Sequence, residues 1–144
     1  MLSLLYAASA VVVIAPTPVA APSPKIMVGE RTPDTIVDTF FKGLQAGKTS
    51  EAVLGVFPPV MAEKKRGDLD TLAVQIDSYL RWYGEVEGWD LVSEDAATPY
   101  FKRRIYLMRT LNGPTFWTIY LYRGSSGWVA TGVNMSDVAS VLFD

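Results

Sequence analysis

Two periodicities divide the chain. Between about residues 33 and 84 apolar side chains recur every three or four positions, whereas from Glu85 onward they alternate, with β-branched and aromatic residues set between turn signals. The first half therefore predicts amphipathic helices and the second a sheet. Ile36, Val37, Phe40, Phe41 and Leu44 form one stripe. Ahead of it, Thr32-Pro33-Asp34 supplies an N-cap, a proline at the first helical position and an acid in the first turn; behind it, Gly47 suits a left-handed C-terminal cap. A helix over about 33–46 follows. Thr49 or Ser50 caps a second, short helix carrying Val53, Leu54 and Phe57, and Pro58-Pro59 ends it, because a proline bars the residue before it from helical geometry. Glu63-Lys64-Lys65-Arg66-Gly67 reads as a polar connection with no role of its own. Asp68 or Asp70 opens a third helix, in which Leu69, Leu72, Ile76, Tyr79, Leu80 and Tyr83 keep the helical period until Gly84.

Strands are expected at about 86–94, 101–111, 115–123 and 128–135. Asn112-Gly113 and Gly124-Ser125-Ser126-Gly127 are tight connections, so the last three strands form an antiparallel meander. With Leu111 set opposite Pro114 and Arg123 opposite Trp128, strict alternation sorts the residues onto two faces. One carries Arg104, Tyr106, Met108, Trp117, Ile119, Leu121, Trp128, Ala130, Gly132 and Asn134; the other carries Ile105, Leu107, Phe116, Tyr120, Tyr122, Val129, Val133 and Met135. Both are largely apolar, so each needs a covering layer, and three helices cover only one. On the helix side, Phe40, Tyr79, Tyr83, Arg104, Tyr106, Met108, Trp117 and Asn134 are the candidate lining of a pocket for a small apolar molecule, with Ala130 and Gly132 leaving room beside the rings. On the convex side, Ile105, Leu107, Phe116, Tyr120, Tyr122, Val129 and Val133 are the candidate interface of a two-fold homodimer.

The N-terminus differs from both halves. Met1 to Ala15 is an uncharged apolar run, followed by Pro16, Pro18, Pro22 and Pro24 among small residues. It is too short for a membrane span and suits the core of a secretory signal, with Val19-Ala20-Ala21 placing small residues for cleavage after Ala21; no Lys or Arg precedes it. The expected organisation is a signal peptide over 1–21, a Pro-rich tether over 22–31 and one domain over 32–144. Export to the periplasm or the exterior follows, with no transmembrane span.

Composition then narrows the chemistry. With 144 residues, 49% of them hydrophobic, the chain is long enough for one domain with a real core. A balance of 13 basic against 15 acidic side chains lacks the basic excess that phosphate neutralisation requires, so no nucleic-acid partner is expected. The chain has neither Cys nor His, which excludes disulfides, thiolate nucleophiles, Cys/His zinc sites, Ser-His-Asp triads and histidine bases. Carboxylate, Tyr, Arg or Lys chemistry remains, or binding alone. No cofactor motif, no metal site and no catalytic residue is assigned.

Arg104-Ile105-Tyr106-Leu107, Gly113-Pro114, Trp117-Thr118-Ile119-Tyr120-Leu121-Tyr122-Arg123, Gly127-Trp128 and Val133-Asn134-Met135-Ser136-Asp137 are similar to the tails of small exported bacterial proteins of the NTF2-like superfamily. The order of three helices and then four strands, over about residues 33–144, resembles the same group. The resemblance implies an α+β fold of three N-terminal helices packed on a curved antiparallel sheet of about four strands. The short hairpin that larger members carry between the second and third helices is absent or reduced to Val60–Gly67. This superfold hosts enzymes and binding modules alike. Without a matched pair of acids, the expected function is binding of a small apolar ligand or a protein partner. The alternative is a carboxylate-dependent isomerase or hydrolase, ketosteroid-isomerase-like or epoxide-hydrolase-like, with Asp90, Arg104, Tyr106 and Asn134 as its polar set. Where isomerase relatives carry a Tyr in the first helix, this chain has Phe40 and Phe41.

Overall fold

The computed structural model describes residues 31–143, and the signal-peptide and tether assignments, Arg31 apart, lie outside the described residues. Helix α1 (Pro33–Gln45) starts as its sequence dictates: the Thr32 hydroxyl accepts from the Thr35 N–H at 3.2 Å, and Pro33 takes the first turn. Its apolar stripe, Ile36 to Leu44, is wholly buried. Gly47 follows with a left-handed φ of 76°, turning the chain into α2 (Thr49–Val56). The two helices approach closely at Gly43, where an added Cβ would meet the Ala52 Cβ at 2.7 Å.

The polar connection expected next is itself helical. Helix α3 (Pro59–Lys64) begins immediately after the break, and α4 (Arg66–Tyr83) starts two residues before Asp68. There are thus four α-helices among the described residues, not three. The physical reason is the proline pair: Pro58 holds Phe57 extended and stops α2, and Pro59 has a φ already suited to the first turn of the next helix. Helix α4 stops at Gly84, whose φ is 83°.

Strands β1 (Val86–Thr98), β2 (Phe101–Thr110), β3 (Gly113–Gly124) and β4 (Gly127–Ser136) form one open antiparallel sheet in chain order. Strand β1 runs four residues past its expected end at Glu94, so all four strands belong to the meander. The first expected hairpin register is displaced by two: Thr110 pairs with Gly113, leaving Leu111 and Asn112 as the loop. Those two residues donate their N–H groups to Glu85 and Tyr83 carbonyls at 3.0 and 2.8 Å, which docks the turn on the end of α4. A displacement of two preserves the faces. The second hairpin has Arg123 opposite Trp128 as expected.

Among β2, β3 and β4 alternation fails once, in β4. Leu121 pairs with Ala130 but Tyr120 pairs with Gly132, so Thr131 is the extra residue of a β-bulge. Everything after it changes sides. Val133 joins the core and Met135 packs against it, whereas Gly132 turns toward the Tyr120 ring and Asn134 leaves the helix-facing side, the reverse of strict alternation. The core lies between α1, α2, α4 and the sheet. Phe40 and Phe41 meet Trp117 edge-on at 5.8 and 5.6 Å between ring centres, and Phe41 also meets Tyr106. The opposite face is covered in part by a 3-10 helix (Ala139–Leu142): Val141 shares a hollow of about 290 Å³ with Ile105, Phe116 and Tyr120. Ile105 and Phe116 are buried, Leu107, Tyr120 and Val129 are half-buried, and Tyr122 is exposed.

Candidate functional site

Two places on the helix-facing side concentrate polar chemistry. The first is Arg104, on β2. Its Nε donates to Glu94 at 2.5 Å, and its Nη1 donates to Asp34 at 2.6 Å and to the Tyr106 hydroxyl at 3.1 Å. The cross-strand pair Glu94↔Arg104 aligns the strands, and Asp34 arrives from the first turn of α1, so the group ties helix to sheet. Burial lowers the Arg104 pKa, but its bonds to Asp34, Tyr106 and Glu94 outweigh that and raise it above the ordinary arginine value. Burial pushes Glu94 up; Arg104 and Lys102 outweigh it and hold the carboxyl below its usual range. Burial pushes the Tyr106 hydroxyl up, against the pull of Arg104. Among the described residues no buried side-chain polar atom lacks a partner. A permanently charged arginine that spends its Nε and Nη1 donors on Glu94, Asp34 and Tyr106 has no proton to give, so the cluster is a clamp.

The second place is a groove between α4 and β4. Leu69, Leu72, Ile76 and Tyr79 project from one side of α4 at helical spacing, and they line two hollows that meet at Val133 and Asn134. The larger, about 450 Å³, has Leu72, Gln75, Ile76 and Tyr79 on one wall, Trp117 in its floor and Val133, Asn134 and Met135 on the other wall. The smaller, about 300 Å³, lies between Phe57, Pro58, Met61, Lys65, Asp68 and Leu69 and the five consecutive residues Ala130–Asn134. Only Lys65 and Asp68 among these lining residues carry charge, and both stand at the same end. No acid–base pair converges deep in the groove. It can take up an apolar body and bond it through Gln75, Tyr79 and Asn134.

Of the eight pocket residues read from sequence, Tyr79, Trp117 and Asn134 line this groove, the last from the strand edge rather than the helix-facing side. Phe40 and Met108 are core. Arg104 and Tyr106 belong to the clamp, and Tyr83 stacks on Tyr79 and donates its hydroxyl to Asp137 at 2.9 Å. Asp137 is the cause that raises the Tyr83 pKa. Asp90 lies outside any such set, exposed and paired with Arg109 at 3.0 Å. Of the residues that sequence reasoning missed, Met61 and Lys65 sit in or beside α3, where no helix was expected, and Asp68 lies in the first turn of α4, where it was read only as a helix start. Val133 and Met135 were missed because of the bulge. Comparison with known protein families, with curated proteins and with solved structures finds no match.

Proposed function

We propose that this chain is an exported binding module of the NTF2-like kind, which takes an apolar ligand into the α4–β4 groove and performs no reaction on it. The observation that carries the reading is the groove's chemistry: two adjoining hollows with an apolar floor, uncharged polar groups above it and charge at one end only. The isomerase or hydrolase alternative requires a carboxylate beside the substrate. Asp90 is exposed on β1, Asp34 and Glu94 are held by Arg104, and Asp68 stands with Lys65 at the charged end of the groove, away from the larger hollow. The dimer belongs to the same reading, centred on Phe101, Tyr122 and Val129, which lie outside the hollow lined by Val141, with Tyr120 at its border.

Nile red, an apolar dye, tests the groove. The full chain should enhance its fluorescence, and Leu72→Glu, which places a charge in the half-buried wall, should weaken the dye's binding at least tenfold with an unchanged circular dichroism spectrum. Equal binding by both proteins, or by neither, overturns the reading.

A further inference from the structure

The hollows touch β4 in an unusual way. A cavity that lies over one face of a strand meets every second residue, because successive side chains point to opposite sides. The smaller hollow meets Ala130, Thr131, Gly132, Val133 and Asn134 in succession, and the larger meets Val133, Asn134 and Met135. A cavity in contact with consecutive residues lies against the strand's edge. Among the described residues β4 is the last strand of the sheet, paired with β3 alone. Every second residue therefore turns its backbone N–H and C=O outward, into the groove.

We propose that an extended, largely apolar segment of a partner protein adds to the free edge of β4 as a fifth strand, lying in the groove between β4 and α4. The inference rests on the reading of this groove as the binding site and specifies its occupant. Dimensions agree with a peptide. Leu69 and Ile76, one in each hollow, are seven residues apart on α4, roughly 10 Å of helix rise. Ala130 to Met135 spans roughly 17–20 Å of strand. About six extended residues cover both hollows and bring alternate side chains against Leu69, Leu72, Ile76 and Trp117, while their backbone completes the β4 ladder. Charge specifies the ends. Lys65 and Asp68 complement charged groups only beside Ala130, and the Tyr79 end, bounded by Gln75 and Asn134, matches uncharged side chains. A second copy of the sheet does not suit the space, because α3 and α4 run beside β4 and leave room for one extended chain.

The test uses the full chain and a pool of synthetic hexapeptides with Val, Ile, Leu or Phe at alternate positions and Ser, Thr, Lys or Glu between them. Selection on the immobilised protein should enrich peptides that are uncharged at one end. The best of them should lose at least tenfold in affinity when its alternate amides are N-methylated, a change that keeps every side chain and removes the ladder donors. Its binding should also slow amide hydrogen exchange across residues 127–136. If Nile red binds the groove but no peptide does, or if N-methylation changes nothing, the added strand is refuted and the groove remains a small-molecule site. Protection of β4 on dimerisation without peptide puts a second copy there and likewise refutes it. If neither dye nor peptide binds, both readings fall.

Discussion

Arg104 is 8% exposed and holds two carboxylates and a phenol, so what replaces it decides the cost. Arg104→Met keeps the apolar stem but leaves Glu94 and the Tyr106 hydroxyl short of a partner. Because Asp34 is 79% exposed and regains water, the loss should be about 2–3 kcal/mol, below that of a fully enclosed pair. Urea unfolding measures it. Glu94 gives the same cluster a pH signature. Its carboxyl lies below the ordinary 4.5 in the folded chain, so its contribution is complete above that value and is lost as the pH falls through the lower folded-state value. Melting temperature should therefore drop on acidification below about pH 4.5, and Glu94→Gln should flatten that part of the profile. Trp117 sits at 0% exposure with its indole N–H on Thr115, in the floor of the groove. Trp117→Ala should cost about 3–5 kcal/mol, read by the same denaturant titration.

At the scale of elements, glycine separates space from propensity. In an open helix Ala outranks Gly, so Gly67→Ala, with nothing near its added Cβ, should raise stability by up to about 1 kcal/mol. Gly43→Ala should lower it instead, because the new methyl meets Ala52 at 2.7 Å and separates α1 from α2. Thermal melts of the two variants should move in opposite directions. The same scale shows where the sequence was legible. Helix α1 was readable to within a residue because its cap, its proline, its stripe and its terminal glycine all agree. Helix α3 was not, since six residues hold no full stripe and the Pro58-Pro59 pair reads as a stop although its second proline starts a helix. The bulge at Thr131 was silent as well: a sequence read at strict period two has no place for an extra residue, and Gly132 marks it only in retrospect. That one residue moved Val133 and Asn134 between faces, and with them the wall of the groove. Deleting Thr131 should regularise the strand while keeping Val133 in the core and Asn134 outside it, so cooperative unfolding in urea should persist.

The whole molecule has two layers and part of a third. Helices cover one side of the sheet, and the C-terminal 3-10 helix reaches only the part of the other side bounded by Ile105, Phe116 and Tyr120. Phe101, stacked on Tyr120 at 6.2 Å between ring centres, lies with Tyr122 and Val129 outside that hollow. Light scattering of the full chain should give a dimer mass at micromolar concentration, and Tyr120→Asp should reduce it to a monomer by placing a charge in a desolvated contact. A monomeric wild type would leave this face as ordinary surface. The sheet's two borders differ more sharply than its faces. Strand β1 is 13 residues long, but its register slips between Val86 and Gly88, between Leu91 and Ser93 and between Ala96 and Thr98, and it carries Glu87, Asp90, Glu94 and Asp95. In the language of polymerisation, a molecule with two reactive ends propagates and a molecule with one terminates. Among the described residues the sheet has one regular border, so a strand that joins β4 ends the sheet there. Deleting Glu87, Val92 and Ala97, the residue skipped at each slip, should straighten the outer strand, supply the missing functionality and turn a terminator into a monomer of a fibre, with thioflavin T fluorescence rising where the parent chain gives none.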